Sequence, residues 1–307
     1  MQPAFAATPL PTYKFQAHIF ANGFSIRQIE QPSIRWDLVR LGLEKVLGDD
    51  DIESLIATQL WLCAEQPGME SRELLGTLWQ AVLSMQIVCP FASRNIFLAF
   101  TETSTGYVDW GNDIRQPSVT GLIGKITSPK HVGFTDYDNI LAGVRKAFSQ
   151  SIIRLVNPLY LLQLGLESNH RYVPTLLWTA ALDMLVMAGG STRYFCDRVH
   201  KLLGSTTYVF PKTELDRQPK HQMNEVTEEL WNLRSHIAHG KRIPENLRAP
   251  CSLFDIDNRP INVVNYSKDK LLKEAALYIL CAALRKVLCS SLIDTIGTDK
   301  AWRSRLT

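Results

Sequence analysis

Several common functional signatures are missing from this sequence. Its 6 cysteines form no Cys-x-x-Cys pair and no spacing typical of a zinc site. We therefore expect reduced thiols, most of them small core residues, rather than disulfides or metal ligands. The segment Gly121 to Lys125 lacks the spacing and the Ser or Thr of a phosphate-binding loop. These absences leave no motif for a metal cofactor or for nucleotide chemistry, and we predict no cofactor.

A strong charge bias and a membrane-spanning run are also missing. Lys and Arg number 33 against 30 Asp and Glu, a formal net charge of +3, so any contact with RNA would need a local basic patch. The first seven residues lack the basic start and apolar run of a signal peptide. The most apolar window, 173–190, contains Pro174 and Asp183. We expect a cytoplasmic protein without a membrane partner.

The length and composition allow one large domain or two domains. The chain has 307 residues, of which 46% are hydrophobic, enough for a sizeable core. The pattern of apolar residues changes near residue 130. We predict an α+β fold in which a mixed α+β domain of unknown role, 1–130, precedes an all-α domain, 131–307.

The N-terminal region mixes strand and helix patterns. Apolar and polar residues alternate from Tyr13 to Ile19, and Asn22-Gly23 then leads into 24–27, which predicts a β-hairpin. Further along, the patterns predict helices over 34–47, 51–65 and 70–88, and strands over 95–100, 106–110 and 118–126.

From about residue 136 the apolar spacing is helical almost throughout. A helix that begins near 140 is predicted to break at Asn157-Pro158, because proline is tolerated where a helix restarts. The charged segment Lys300, Arg303 and Arg305 is expected to be a frayed tail. Other helices are predicted over 173–188, 191–203, 221–238 and 268–293, which together indicate an antiparallel bundle of four or five helices.

The end of the predicted helix 221–238 carries the residues best suited to chemistry. Arg234 and His239 lie five residues apart, roughly 500° of helical rotation, so they can converge only because Gly240 ends the helix. A guanidinium binds phosphate oxygens in a bidentate fork, and an imidazole exchanges a proton near neutral pH. The same spacing also arises by chance, and a histidine at a helix end is also an ordinary cap. The spacing alone leaves both interpretations open.

The wider context adds a resemblance. Trp231 to Gly240 resembles the Arg-x4-His signature of HEPN domains, particularly their ApeA-like branch. Leu177 to Leu185 is similar to the Leu-Glu-Ala-Leu helix of that branch, with Asp183 in place of Glu, and Phe195 to Gly204 is similar to its Arg-x-x-x-Leu-Leu-Gly helix. The resemblance covers about 140–300. It implies a HEPN-like helical bundle that often acts as a homodimer, with Arg234 and His239 at the active site.

Other side chains are candidates for supporting roles. Asp183 is predicted on the core side of its helix, where a buried carboxylate needs a partner such as Arg234 or Arg198; a water-facing position at the helix rim is the alternative. Ser235 and His236 lie beside the arginine within the motif. His236 and His239 have no third ligand at a suitable spacing, so we predict no metal site.

Two basic residues follow the helix. Lys241 and Arg242 are predicted to contact RNA phosphates, although a basic pair after a helix C-terminus is common without any ligand. Together these residues predict a metal-independent endoribonuclease of HEPN type, a homodimer that cleaves single-stranded RNA through its 2′-hydroxyl. Such a hydrolase would serve antiviral defence or act as a toxin. The alternative is a non-catalytic HEPN scaffold whose N-terminal domain senses a ligand or partner.

Overall fold

A computed structural model describes residues 3–10, 17–20, 23–28, 60–67, 69, 71–90, 96–101, 104–110, 137–212, 216–261 and 266–307. The chain forms two compact units. The first comprises Met1–Ser84 and Ser93–Pro117, and the second comprises Met85–Ala92 and Ser118–Thr307. The predicted domain boundary at 130 lies outside the described residues.

The first unit contains an antiparallel sheet. Its strands, in the spatial order β2-β3-β4-β1-β5-β6, are β1 (Pro3–Pro9), β2 (His18–Ile19), β3 (Phe24–Arg27), β4 (Trp61–Pro67), β5 (Ile96–Thr101) and β6 (Ser104–Trp110). The pairing of the predicted hairpin is confirmed, since His18 lies opposite Ile26 and Ile19 opposite Ser25, while 13–16 and Asn22 lie outside the described residues. The strands predicted at 95–100 and 106–110 are confirmed as β5 and β6, which pair with each other.

Two strands of this sheet depart from the prediction. The helix predicted over 51–65 is wrong over 61–65, where β4 pairs with both β1 and β3. Its residues Trp61 to Ala64 are all buried, and a short apolar run cannot be assigned to helix or strand by periodicity alone. β1 was not predicted, although it lies between β4 and β5. The predicted helix 34–47, the positions 51–59 and the predicted strand 118–126 lie outside the described residues.

Helices make up most of the second unit. The helix predicted over 70–88 is confirmed as α1 (Ser71–Val88), whose last turn belongs to this unit. The others are α2 (Tyr137–Ser149), α3 (Ile153–Glu167), α4 (Val173–Val186), α5 (Thr192–Leu203), α6 (Met223–Ala238), α7 (Glu245–Arg248), α8 (Lys268–Leu288), α9 (Leu292–Ile296) and α10 (Asp299–Leu306). A short hairpin, β7 (Leu253–Phe254) and β8 (Pro260–Ile261), lies between α7 and α8. The α+β class is confirmed.

The helix α8 is the centre of the bundle and is buried around most of its surface, in contact with α2, α4, α5 and α6. The helices α3 and α4 approach closely because Gly165 has no side chain. A Cβ at that position would lie 2.1 Å from Nε1 of Trp178. That nitrogen donates a hydrogen bond to the Leu162 carbonyl at 3.1 Å, which fixes the contact.

The apolar window around Asp183 is α4, a buried helix of the bundle. Pro174 lies in its first turn, where the missing N–H has no intrahelical partner to lose. Within the part of the chain that the structure describes, no helix has both the length and the hydropathy needed to cross a lipid bilayer.

The predicted break at Asn157-Pro158 is wrong. Pro158 is buried inside α3, and the chain interrupts the helix earlier, between α2 and α3. Ser151 has a φ of 51°, a left-handed conformation that ends α2. A proline inside a helix costs one backbone hydrogen bond. The packing of α3 against α4 nevertheless keeps α3 helical through Pro158.

The predicted frayed tail is also wrong. Residues Asp299–Leu306 form α10. Trp302 is fully buried, and its Nε1 donates a hydrogen bond to the Leu185 carbonyl at 2.6 Å. Leu306, four residues later, is buried on the same face. Most residues of this segment are charged or polar. Its two buried apolar residues, Trp302 and Leu306, were therefore not recognised as the buried face of a helix.

We expect Trp302→Phe to destabilise the protein by about 1–3 kcal/mol, because the substitution leaves the buried Leu185 carbonyl unpaired. Ser304→Ala, at an exposed position of the same helix, should change the stability by less than about 0.5 kcal/mol. Urea unfolding followed by far-ultraviolet circular dichroism measures both. Equal stability of the two variants would contradict the anchoring role of Trp302.

Candidate functional site

The C-terminal end of α4 is the meeting point of several helices. The last four carbonyls of a helix have no intrahelical partner. Here the four carbonyls from Met184 to the C-cap residue Met187 each accept a hydrogen bond from a side chain of α3, α5 or α10. The pairs are Arg154 with Met184 at 3.4 Å, Trp302 with Leu185 at 2.6 Å, and Arg198 with both Val186, at 3.1 Å, and Met187.

The C-terminal end of α6 is closed by its own backbone. The N–H of Gly240 donates to the Ile237 carbonyl at 3.2 Å, and the N–H of Lys241 donates to the His236 carbonyl at 2.9 Å. Gly240 has a φ of 62°, and this combination is a Schellman motif. The predicted stop at Gly240 is confirmed. His239 is the C-cap residue, and its side chain is exposed to solvent.

Arg234 is half-buried in the last turns of α6. Its Cζ lies 4.9 Å from the centre of the Trp231 ring, a cation–π contact within one helical turn. Trp231 is itself buried against Phe195 of α5, with 4.7 Å between ring centroids. Among the described residues no acceptor bonds to the guanidinium, and its Nε is buried without a partner. The arginine is therefore held by an aromatic face and keeps its outer donors for another group.

Asp183 is half-buried on α4, close enough to Arg234 for their charges to interact. Burial raises the pKa of Asp183, while the Arg234 charge and the backbone N–H groups of Gly189 and Ala188 act in the opposite direction. Of the two predicted partners, Arg234 is the one whose charge acts on this carboxyl. Arg198 instead binds the carbonyls at the end of α4.

The remaining predicted site residues have different surroundings. Ser235 and His236 are half-buried, and Nδ1 of His236 is buried without a hydrogen-bond partner. Lys241 is exposed, whereas Arg242 forms an ion pair with Glu245 at 2.7 Å. Both members of that pair are well exposed, so it contributes little to stability. No group of three potential metal ligands occurs among the residues that the structure describes.

The structure thus brings Arg234 and Asp183 together and leaves His239 at the solvent-facing end of the same helix. Five residues of rise separate Arg234 from His239 along the axis, about 7.5 Å. Trp231, which positions Arg234, was not among the predicted site residues. Its signal was available, because a spacing of three residues puts both side chains on one helix face.

The comparisons with known proteins are negative: no protein-family model, no curated protein and no solved structure matches this chain. The resemblance to HEPN domains therefore stays a prediction.

The raised pKa of Asp183 makes a prediction about stability and pH. Ionisation of this carboxyl costs more in the folded than in the unfolded chain, so wild-type stability should fall as pH rises through the folded pKa. Asp183→Asn removes that loss. We expect the stability of the variant relative to wild type to be more favourable at about pH 7 than at about pH 4.

Urea unfolding at both pH values provides the measurement, with Asp197→Asn as the control for loss of an exposed carboxylate. A variant that loses more stability at the higher pH than at the lower one would show that the attraction of Arg234 outweighs burial.

The left-handed conformation of Gly240 predicts a cost for any side chain there. Gly240→Ala should destabilise the protein by about 1–2 kcal/mol through backbone strain, since no atom lies within 4 Å of the added Cβ. Gly297→Ala is the matched control, because its surroundings are equally open but its φ is −67°. That substitution should be neutral or slightly stabilising. Thermal unfolding of both variants separates strain from steric clash, and equal midpoints would refute the strain argument.

Proposed function

We propose that this protein is a metal-independent endoribonuclease of HEPN type that cleaves single-stranded RNA. The observation that supports the proposal is the end of α6. Arg234 lies there against Trp231 with no acceptor among the described residues, and His239 is exposed five residues later. A fixed cation stabilises the charge of the transition state, and a solvent-accessible imidazole can transfer a proton.

The reaction uses the nucleophile that RNA itself carries. The 2′-oxygen attacks the adjacent phosphorus while a base removes its proton, and the 5′-oxygen leaves as an acid returns a proton. The products are a 2′,3′-cyclic phosphate and a free 5′-hydroxyl. His239 acts as base or acid, and Arg234 stabilises the additional negative charge on the phosphorane-like transition state. Asp183, on α4, is close enough for its charge to act on the guanidinium.

Cleavage involves two proton transfers, one from the 2′-hydroxyl and one to the 5′-oxygen, and each needs a group that exchanges a proton. Each chain has one exposed histidine at this helix end, His239. A two-fold dimer that pairs the ends of two α6 helices supplies two histidines and two arginines. The exposed positions at this end, Ala238 to Lys241, leave the approach of a second copy open. Lys241 and Arg242 would then lie at the edge of the shared site and contact RNA phosphates.

Cleavage of a labelled single-stranded RNA in EDTA tests the proposal. We expect wild-type protein to cut the RNA and to leave 2′,3′-cyclic phosphate ends. His239→Ala should lower the rate by about 10²–10⁴-fold through loss of proton transfer. Arg234→Ala should lower it by about 10²–10³-fold through loss of charge stabilisation.

Arg193→Ala is the matched control, because Arg193 precedes His200 by seven residues on α5 but lies exposed beside Asp197. His200 bonds to Thr227 of α6 instead, at 2.8 Å. The control should cut RNA at the wild-type rate. RNA left intact by the wild-type protein would refute the nuclease and favour the alternative, a non-catalytic HEPN scaffold. Activity that disappears only in EDTA would indicate a metal enzyme.

The dimer is tested separately by sedimentation equilibrium over a range of protein concentrations. We expect a reversible dimer whose dissociation on dilution parallels the loss of specific activity, because one chain lacks the second imidazole. A monomer at all concentrations with undiminished activity would contradict the shared site.

A further inference from the structure

The short C-terminal helix α10 carries three cations that have no partner among the residues that the structure describes. Lys300, Arg303 and Arg305 are exposed, and no acidic group among the described residues pairs with any of them. Asp299, the one acidic residue of α10, is bound to Arg154 of α3, and Asp294 of the preceding helix α9 is bound to Lys146 of α2. The charge that α10 presents to solvent is therefore positive.

The position of this helix is fixed at the end of the bundle where Arg234 lies. Trp302 binds the Leu185 carbonyl, and Leu185 is two residues, roughly 3 Å of helical rise, beyond Asp183 on α4. The helix also contacts α5, which packs on α6. The basic residues of α10 therefore lie on a helix that packs against the group of helices carrying Asp183 and Arg234.

A nucleic-acid strand binds such a surface through its phosphates. Arginine and lysine side chains on a rigid helix neutralise phosphate charge and release counterions, and this contribution does not depend on sequence. The overall charge of +3 is too small to supply this attraction. A local group of three cations adds to the attraction, since each neutralised phosphate contributes its own increment to binding.

We propose that the exposed cations of α10 (Lys300, Arg303 and Arg305) bind the phosphate backbone of the single-stranded RNA and position it at the α6 end. The inference rests on the proposed function for the choice of ligand. It adds a binding surface outside the reacting groups, so these residues affect RNA affinity and not the chemical step.

The test is RNA binding measured by fluorescence anisotropy at several salt concentrations. All proteins carry His239→Ala so that the labelled single-stranded RNA stays intact. The triple variant Lys300→Gln, Arg303→Gln and Arg305→Gln keeps Trp302 and Leu306, so the helix remains anchored. We expect about tenfold weaker binding at moderate salt and a salt slope smaller by about 2, since each lost single-strand phosphate contact removes about 0.7.

Two further triple variants distinguish the position of the charges from their number and from folding. The first removes the same charge at exposed positions outside α10, through Lys201→Gln, Arg248→Gln and Lys286→Gln. Its salt slope should equal that of the His239→Ala parent. The second keeps the charge of α10 through Lys300→Arg, Arg303→Lys and Arg305→Lys. Its RNA affinity should equal that of the His239→Ala parent.

The outcomes separate this inference from the nuclease proposal. Equal losses in the two glutamine triples, or no loss in either, would overturn the role of α10 and leave the nuclease proposal intact. A selective loss in the α10 triple together with no RNA cleavage by wild type would overturn the nuclease and retain α10 as an RNA-binding surface. No RNA binding by the parent would overturn both.

Discussion

The interaction on which the second unit depends most is the capping of the α4 C-terminus. Four buried or partly buried carbonyls at a helix end would each cost free energy if they were unpaired. They are satisfied by Arg154, Arg198 and Trp302, which come from three different helices. Two of these donors are cations, which the negative end of the helix dipole also attracts. One helix terminus therefore joins α3, α5 and α10, and it fixes the surroundings of Asp183.

Two arginines face this region, and their surroundings give them different roles. Arg198 donates from one guanidinium nitrogen to the Val186 and Met187 carbonyls and lies 5.0 Å from the Tyr194 ring centroid, so it acts as a structural cap. Arg234, among the described residues, contacts the ring of Trp231 and has the charge of Asp183 nearby. A cation–π contact contributes about 0.5–2 kcal/mol and leaves the N–H donors unused. Desolvation by burial exceeds the attraction of the guanidinium, so the pKa of Asp183 lies above its usual value.

Local patterns in the sequence predicted those parts of the fold that local physics decides. The helices α4, α5 and α6 follow from apolar stripes, and the stop at Gly240 follows from the left-handed conformation that glycine tolerates. The errors share another cause. β4 and β1 become strands because each pairs with strands distant in sequence, and α10 becomes ordered because Trp302 reaches a carbonyl on α4. The partner of Asp183 was left between two arginines for the same reason. A single sequence shows the residues but not the partners that tertiary contacts select.

The distribution of charge at one end of the bundle links these observations. In a chain of net charge +3, the position of unpaired cations matters more than their total number. Arg154 and Arg198 are occupied by carbonyls, and Arg154 also by Asp299. Asp299, the one acidic residue of α10, is paired with Arg154 of α3. The basic residues of α10 therefore have no unpaired acidic residue on their own helix. The contacts that complete the α4 terminus also pair Asp299, so a nearly neutral protein can present a local group of exposed cations on α10.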